Sequence, residues 1–169
     1  GKHILCEKPL TPSAAETAEV IRYCEEKGVI LMEAFAYLHS PLISDIKSRL
    51  PELGKLKYLD ATFLTSDYDF SNIRMQHACA GGALYDIGCY CTSIITWMLG
   101  TTPEKVSALS EFSGDGIDLF TTALLNYSGG LRGVVKSGFV LDRHPFVRLD
   151  DFYVSGENGY IRNSSRFNA

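Results

Sequence analysis

The chain has 169 residues, 46% of them hydrophobic and 21% charged, with a net charge of −4. That is enough apolar material for one sizeable core, or for one domain and part of another. The charges are spread without a basic run, which argues against nucleic acid or an anionic membrane surface as partner. The opening GKHILCEKPL lacks the long apolar core and small-residue cleavage site of a signal peptide, so no leader is expected. The charge-free run at residues 87–100 is too short to span a bilayer. Five cysteines, an odd number at irregular spacing, read as reduced thiols of a cytoplasmic protein. His77, Cys79, Cys89 and Cys91 could suggest zinc. However, Cys89 and Cys91 point in different directions on a helix, and no C-x-x-C pair exists, so no metal is expected.

In chain order, residues 3–6 predict a strand that Pro9 stops, since proline has no N–H for the ladder. Thr11 as N-cap with Pro12 at the first helical position predicts a helix start, and Ser13 with Glu16 offers a competing capping box. This helix runs to about Lys27, with Gly28 as a left-handed cap. Residues 29–32 form a second continuous apolar run, so residues 1–37 read as a βαβ unit of a parallel sheet with a right-handed crossover. Ligands of such sheets gather past the carboxyl ends of the strands, here at Glu7-Lys8-Pro9 and residues 33–37. Ser40-Pro41 starts a short helix to about Leu50. A strand follows at 57–65, then a polar, irregular loop at 66–80 carrying Arg74 and His77, then a helix over 82–99 closed by Gly100. Strands are expected at 105–112, 117–127, 131–140, 150–155 and 160–162, antiparallel, with turns at Ser128-Gly129-Gly130 and Asn158-Gly159. The fold class is therefore α+β: the last βαβ unit of a larger sheet, followed by a helix packed on a largely antiparallel open sheet. No helix remains to cover the sheet's second face. Ser107, Thr121, Thr122, Lys136 and Ser137 are expected to make that face partly polar, suited to solvent or a subunit interface.

Lys8 stands at a strand's carboxyl edge. It is either a positioned ammonium that polarises a substrate hydroxyl or a surface lysine. Asp86 and Tyr90 share a helix face at i, i+4. Burying a carboxylate and a phenol unpaired is costly. A tyrosine becomes a useful base only when something such as a nearby ammonium lowers its pKa from about 10, and an aspartate could orient a hydroxyl or a lysine. Alternatively, Tyr90 packs in the core and Asp86 caps the first turn. Gly81-Gly82 permits close backbone approach or a flexible helix start, and Arg74 could hold an anionic group.

GKHILCEKPL, then EAFAYLHSP, then GGALYDIGCY followed by WMLG, in this order and spacing, resemble the glucose–fructose oxidoreductase, inositol dehydrogenase and MocA-type oxidoreductase family. The resemblance covers essentially the whole chain, through to Phe167-Asn168-Ala169. It implies that residues 1–37 end a Rossmann domain binding NAD or NADP. Residues 38–169 would be a substrate-binding and oligomerisation domain, incomplete at its C-terminal end, that pairs through its open sheet as a homo-oligomer. It also implies Lys8 as catalytic, Asp86 as substrate-binding acid, Tyr90 at the acid/base position, and Glu7 and Pro9 beside the nicotinamide. Arg74 is assigned with them to the cofactor. Ala80 stands where the family's glycine triplet begins. Tyr90 in place of histidine resembles the branch of aldose and dihydrodiol dehydrogenases rather than inositol dehydrogenases. The chain contains no G-x-G-x-x-G loop, so a fragment is expected. Two functions are in view. One is an NAD(P)-dependent oxidoreductase transferring hydride to or from a small polyhydroxy, sugar-like or diol substrate. The other is a non-catalytic sugar-binding or oligomerisation module without its own cofactor site.

Overall fold

A computed structural model describes residues 1–66, 69, 71–141 and 148–163, so Phe167-Asn168-Ala169 lies outside the described residues. The chain divides into two units, Gly1–Ala36 and Tyr37–Ala169.

In the first unit, β1 (Ile4–Cys6) and β2 (Leu31–Glu33) run parallel with Cys6 opposite Glu33, joined by α1 (Ala14–Glu26). The helix begins at Ser13, not Thr11. The Ser13 hydroxyl accepts from the Glu16 N–H at 3.2 Å and donates to the Glu16 carboxylate at 2.9 Å. Those two bonds outcompete the Thr11 cap, and the Thr11 hydroxyl instead bonds the Ser13 carbonyl and the Thr17 hydroxyl. Gly28 closes the helix at φ +61, as expected. The second strand begins two residues later than its apolar run. The Val29 N–H still closes the helix end on the Cys24 carbonyl, and the Ile30 N–H goes to the His3 ring.

In the second unit, α2 (Pro41–Arg49) starts at Ser40-Pro41 as predicted and buries Ile43 and Ile46. A six-stranded sheet follows: β3 (Leu56–Ser66), β4 (Lys105–Phe112), β5 (Asp118–Asn126), β6 (Arg132–Leu141), β7 (Arg148–Gly156) and β8 (Gly159–Asn163), in the order β4-β5-β6-β3-β7-β8. The turns at residues 128–130 and 158–159 fall where expected, with Gly129 at φ +70 and Gly159 at φ +149. One expectation fails: β6 runs parallel to β3, while the other pairings are antiparallel. After β3 the chain returns through α3 (Cys89–Leu99) and builds three antiparallel strands. The third docks on β3, and an odd number of strands after a return leaves it pointing the same way.

The helix α3 packs on β3 and β6, burying Cys91, Ile94, Ile95 and Met98 over a sheet face that includes Leu59, Ala61 and Val135. A Cβ on Gly88 would meet the Ser137 hydroxyl at 2.8 Å, so glycine lets helix and sheet close together. This side also holds Thr121 and Ser137, which pair in register and are fully buried. Both were expected on the outer face. Thr122 and Lys136, one residue along, do point outward. There Tyr58, Asp60, Thr62, Leu64, Lys136 and residues of β7 and β8 line a concavity of about 650 Å³ built from strand residues alone. At its centre the Asp60 carboxylate accepts from Tyr58 (2.9 Å), Thr62 (2.8 Å) and Lys136 (2.7 Å). No described helix is long and apolar enough to cross a membrane.

Candidate active site

The glycines that open the helical stretch are required by close approach. The Gly82 N–H donates to the Arg74 carbonyl at 2.9 Å, and the Gly81 N–H to the Gln76 carbonyl at 3.0 Å. A Cβ on Gly81 would lie 2.5 Å from the Arg74 carbonyl. Gly82 adopts φ +133, and a Cβ there would fall on the Asp118 carboxylate. That carboxylate accepts the Leu84 N–H at 2.7 Å, satisfying a donor that a helix start otherwise leaves orphaned. The cap is therefore Asp118, 34 residues on, rather than Asp86.

Asp86 instead pairs with Arg74, Nε to Oδ2 at 2.8 Å, with the aspartate side chain only 14% exposed. Arg74 sits in a short 3-10 turn, Ile73–Met75, whose backbone is capped by Asn72. A second such turn, His77–Cys79, ends at Ala80 with φ +52. The loop expected to be irregular thus contains two turns that aim Arg74 at the helix. The helix itself departs from expectation. Its first part, Leu84–Gly88, is a π-helical turn, and regular α-helix starts only at Cys89. Asp86 lies in the widened turn and Tyr90 just after it. Such insertions are frequent at functional sites because they re-aim side chains without breaking the helix.

Tyr90 stands between two rings, Tyr37 at 6.1 Å and Phe63 at 5.7 Å, both tilted. The Tyr37 hydroxyl shares a hydrogen bond of 2.7 Å with Ser93. Burial drives its pKa far above the usual phenol value, the Ser93 bond opposing only in part, so Tyr37 keeps its proton. The Arg148 guanidinium lies 4.7 Å over the Phe63 ring and is paired with the buried Asp150. Tyr37, Phe63, Arg148 and Asp118 were not singled out in the sequence. Tyr37 alone carried a signal, as a residue just past a strand's carboxyl end.

Glu7, Lys8 and Pro9 follow β1 in the first unit, with Glu7 exposed and Lys8 half-buried, and the Lys8–Pro9 peptide is cis. Arg74, Asp86 and Tyr90 belong to the second unit. Arg74 and Asp86 are brought into direct contact, and Asp86 and Tyr90 lie on one helical stretch. A nicotinamide dinucleotide suits the chemistry of the first set: a cation and a carboxylate just past the carboxyl edge of a parallel strand pair. Among the described residues no His, Cys, Asp or Glu side chains gather as metal ligands would. None of the five cysteines forms a disulfide, and burial raises the pKa of the Cys91 thiol.

The fold and site define an α+β protein whose short parallel unit precedes a helix laid over an open sheet, with an acid and a phenol at the helix's start. Residues 50–162 match the model of the GFO/IDH/MocA C-terminal domain, and residues 1–35 match that of the oxidoreductase family with NAD-binding Rossmann fold. The chain belongs to the GFO/IDH/MocA oxidoreductase family. It is 40% identical over 156 residues, 88% of its length, to the D-xylose 1-dehydrogenase (NADP(+)) 2 of Haloferax volcanii, of which it covers 46%. It is 36% identical over 140 residues, 81% of its length, to the trans-1,2-dihydrobenzene-1,2-diol dehydrogenase of Xenopus tropicalis, of which it covers 42%. These relatives fall in the branch that Tyr90 indicated. A 3-ketoreductase of Actinomadura kijaniata, solved with NADP and TDP-benzene, superposes with a TM-score of 0.84 at 27% identity. That superposition covers 96% of this chain and 49% of the reductase. The chain thus spans about half the length of the proteins it matches.

Proposed function

We propose that the whole protein containing this chain is an NAD(P)-dependent dehydrogenase that oxidises a hydroxyl of a sugar-like or vicinal diol substrate. The observation that carries this is the Tyr90 phenol, held between Tyr37 and Phe63 one turn after an Asp86 already fixed by Arg74. The names of the two curated relatives, an aldose and a diol dehydrogenase, support it. On this reading the Tyr90 hydroxyl is the acid/base group that exchanges a proton with the reacting hydroxyl, and Lys8 is the second catalytic residue. Asp86 accepts a hydrogen bond from the neighbouring hydroxyl and so fixes which carbon reacts, while Arg74 holds the carboxylate. Tyr37 keeps its proton and serves as a wall. Glu7 and Pro9 would flank the nicotinamide, which supplies the hydride acceptor.

Gly1–Ala36 is then the last part of the dinucleotide-binding domain, and the second unit is the substrate domain. The concave sheet face, with Asp60 and Lys136 at its centre, pairs with a second copy of the chain. Five cysteines outside any disulfide suit the cytosol.

The test is Lys8→Met and Tyr90→Phe in the whole protein, assayed with D-xylose and with trans-1,2-dihydrobenzene-1,2-diol, each with NAD and NADP. Each change is expected to lower kcat by roughly a hundredfold or more, with the melting temperature retained. Turnover that survives both changes within about tenfold rules the assignment out.

A further inference from the structure

The segment at residues 7–9 is held at both ends by the strand beside it. Before it, the Ala34 N–H donates to the Cys6 carbonyl at 2.8 Å, one residue past the register pair Cys6 and Glu33. After it, the Leu10 N–H donates to Oε1 of Glu33 at 2.7 Å. Pro9 has no N–H, so Leu10 carries the first backbone donor available after Lys8. That donor is taken by a carboxylate 23 residues away in sequence. A bond to an ionised acceptor is short and about twice as strong as one between neutral groups. An exposed glutamate serving only solubility would leave this amide to water.

We propose that Glu33 is a positioning residue for Lys8: by anchoring Leu10 it fixes the path of residues 7–9 and hence where the Lys8 ammonium is presented. The inference rests on the reading of Lys8 as a catalytic group. Glu33 acts through backbone geometry and needs no contact with the substrate. Glutamine keeps the accepting oxygen and alanine does not, which separates the hydrogen bond from mere bulk.

The experiment compares Glu33→Ala, Glu33→Gln, Lys8→Met and the double change Lys8→Met with Glu33→Ala in the whole protein. Turnover of D-xylose with NADP is measured alongside amide exchange of the peptide containing Leu10. Glu33→Ala is expected to speed exchange at Leu10 and to lower kcat about tenfold, since misplacing a reacting group by 1 Å can cost about a hundredfold. KM should change little and the melting temperature should hold. Glu33→Gln should restore most of both. In the Lys8→Met background, Glu33→Ala should have no further effect on turnover. An equal loss in both backgrounds, or unchanged exchange at Leu10 with unchanged turnover, overturns the proposal. Turnover that survives Lys8→Met overturns the assignment of Lys8 itself. It is recognised apart because the exchange at Leu10 still reports on the Glu33 bond.

Discussion

Replacing Gly82 with alanine attacks the point where backbone, cap and site meet. The residue adopts φ +133, and an added Cβ would collide with the Asp118 carboxylate, which accepts the Leu84 N–H at 2.7 Å. Two costs follow. A side chain in that backbone region strains it by about 1–3 kcal/mol, and displacing the capping carboxylate loses about 1 kcal/mol. The expected loss of about 2–4 kcal/mol corresponds to a fall in melting temperature of roughly 5–15 °C for a chain of this length. Urea and thermal unfolding of the single change should be set beside Asp118→Ala, which loses the cap and a longer bond from the Thr121 hydroxyl at 3.4 Å, and beside the double change. With the carboxylate gone the collision disappears, so the double variant should lose less than the sum of the two singles. Strict additivity, or a Gly82→Ala variant within about 0.5 kcal/mol of the parent, would refute the claim that these residues share one tight contact.

Ala80 sits in the left-handed region at φ +52, so Ala80→Gly should raise the urea midpoint by the equivalent of about 0.5–1 kcal/mol; an unchanged or lower midpoint would contradict that conformation. The Tyr58 phenol is pushed up to about 12, first by burial and then by its bond to Asp60 and that carboxylate's charge. Because the folded state favours the protonated phenol, its contribution to stability is complete below the ordinary phenol value of 10.0. It is lost as pH climbs from there toward about 12. Ultraviolet titration should show one late-ionising phenol fewer in Tyr58→Phe, and a Tyr58 that titrates with the exposed phenols would remove the Asp60 contact from the picture.

The parts legible in the sequence were those whose causes are local. Gly28 and Gly100 mark helix ends because only a residue without Cβ adopts their left-handed conformation cheaply. Ser40-Pro41 marks a start for an equally local reason. Strand-like runs and the turn residues that bound them placed the strands to within a residue or two. What failed or stayed open turned on which partner a residue finds, near or far. Thr11 and Ser13 are equally good caps on paper, and the neighbouring Glu16 decided between them. Thr121 and Thr122 are chemically alike, and only the register with β6 says which lies beneath the helix. The direction of β6 follows from where a three-stranded meander docks, which no stretch of β6 encodes. In the site, Asp86 and Tyr90 stood out as polar groups on an apolar helix. Arg74 was noted for its charge, but its partner was invisible. The π-helical turn was invisible as well, and it lies between two contacts made by residues far away in sequence, the Asp118 cap on Leu84 and the close approach of Gly88 to Ser137.

The place of β3 at the centre of the sheet also sets a timetable. Its neighbours come late: Asp60 waits for Lys136, 76 residues on, and Lys57 for Glu157, 100 residues on. At a synthesis rate of about 5–20 residues per second, an emerging chain holds this eleven-residue strand without a mate on either flank for roughly 4–15 s, until β6 is made. An apolar strand with both edges open is a ready template for pairing with other chains. The helix that follows it is made early enough to cover one face, but β6 and β7, the strands that take its edges, come later. Slowing synthesis between β3 and β6 should therefore favour aggregation over folding.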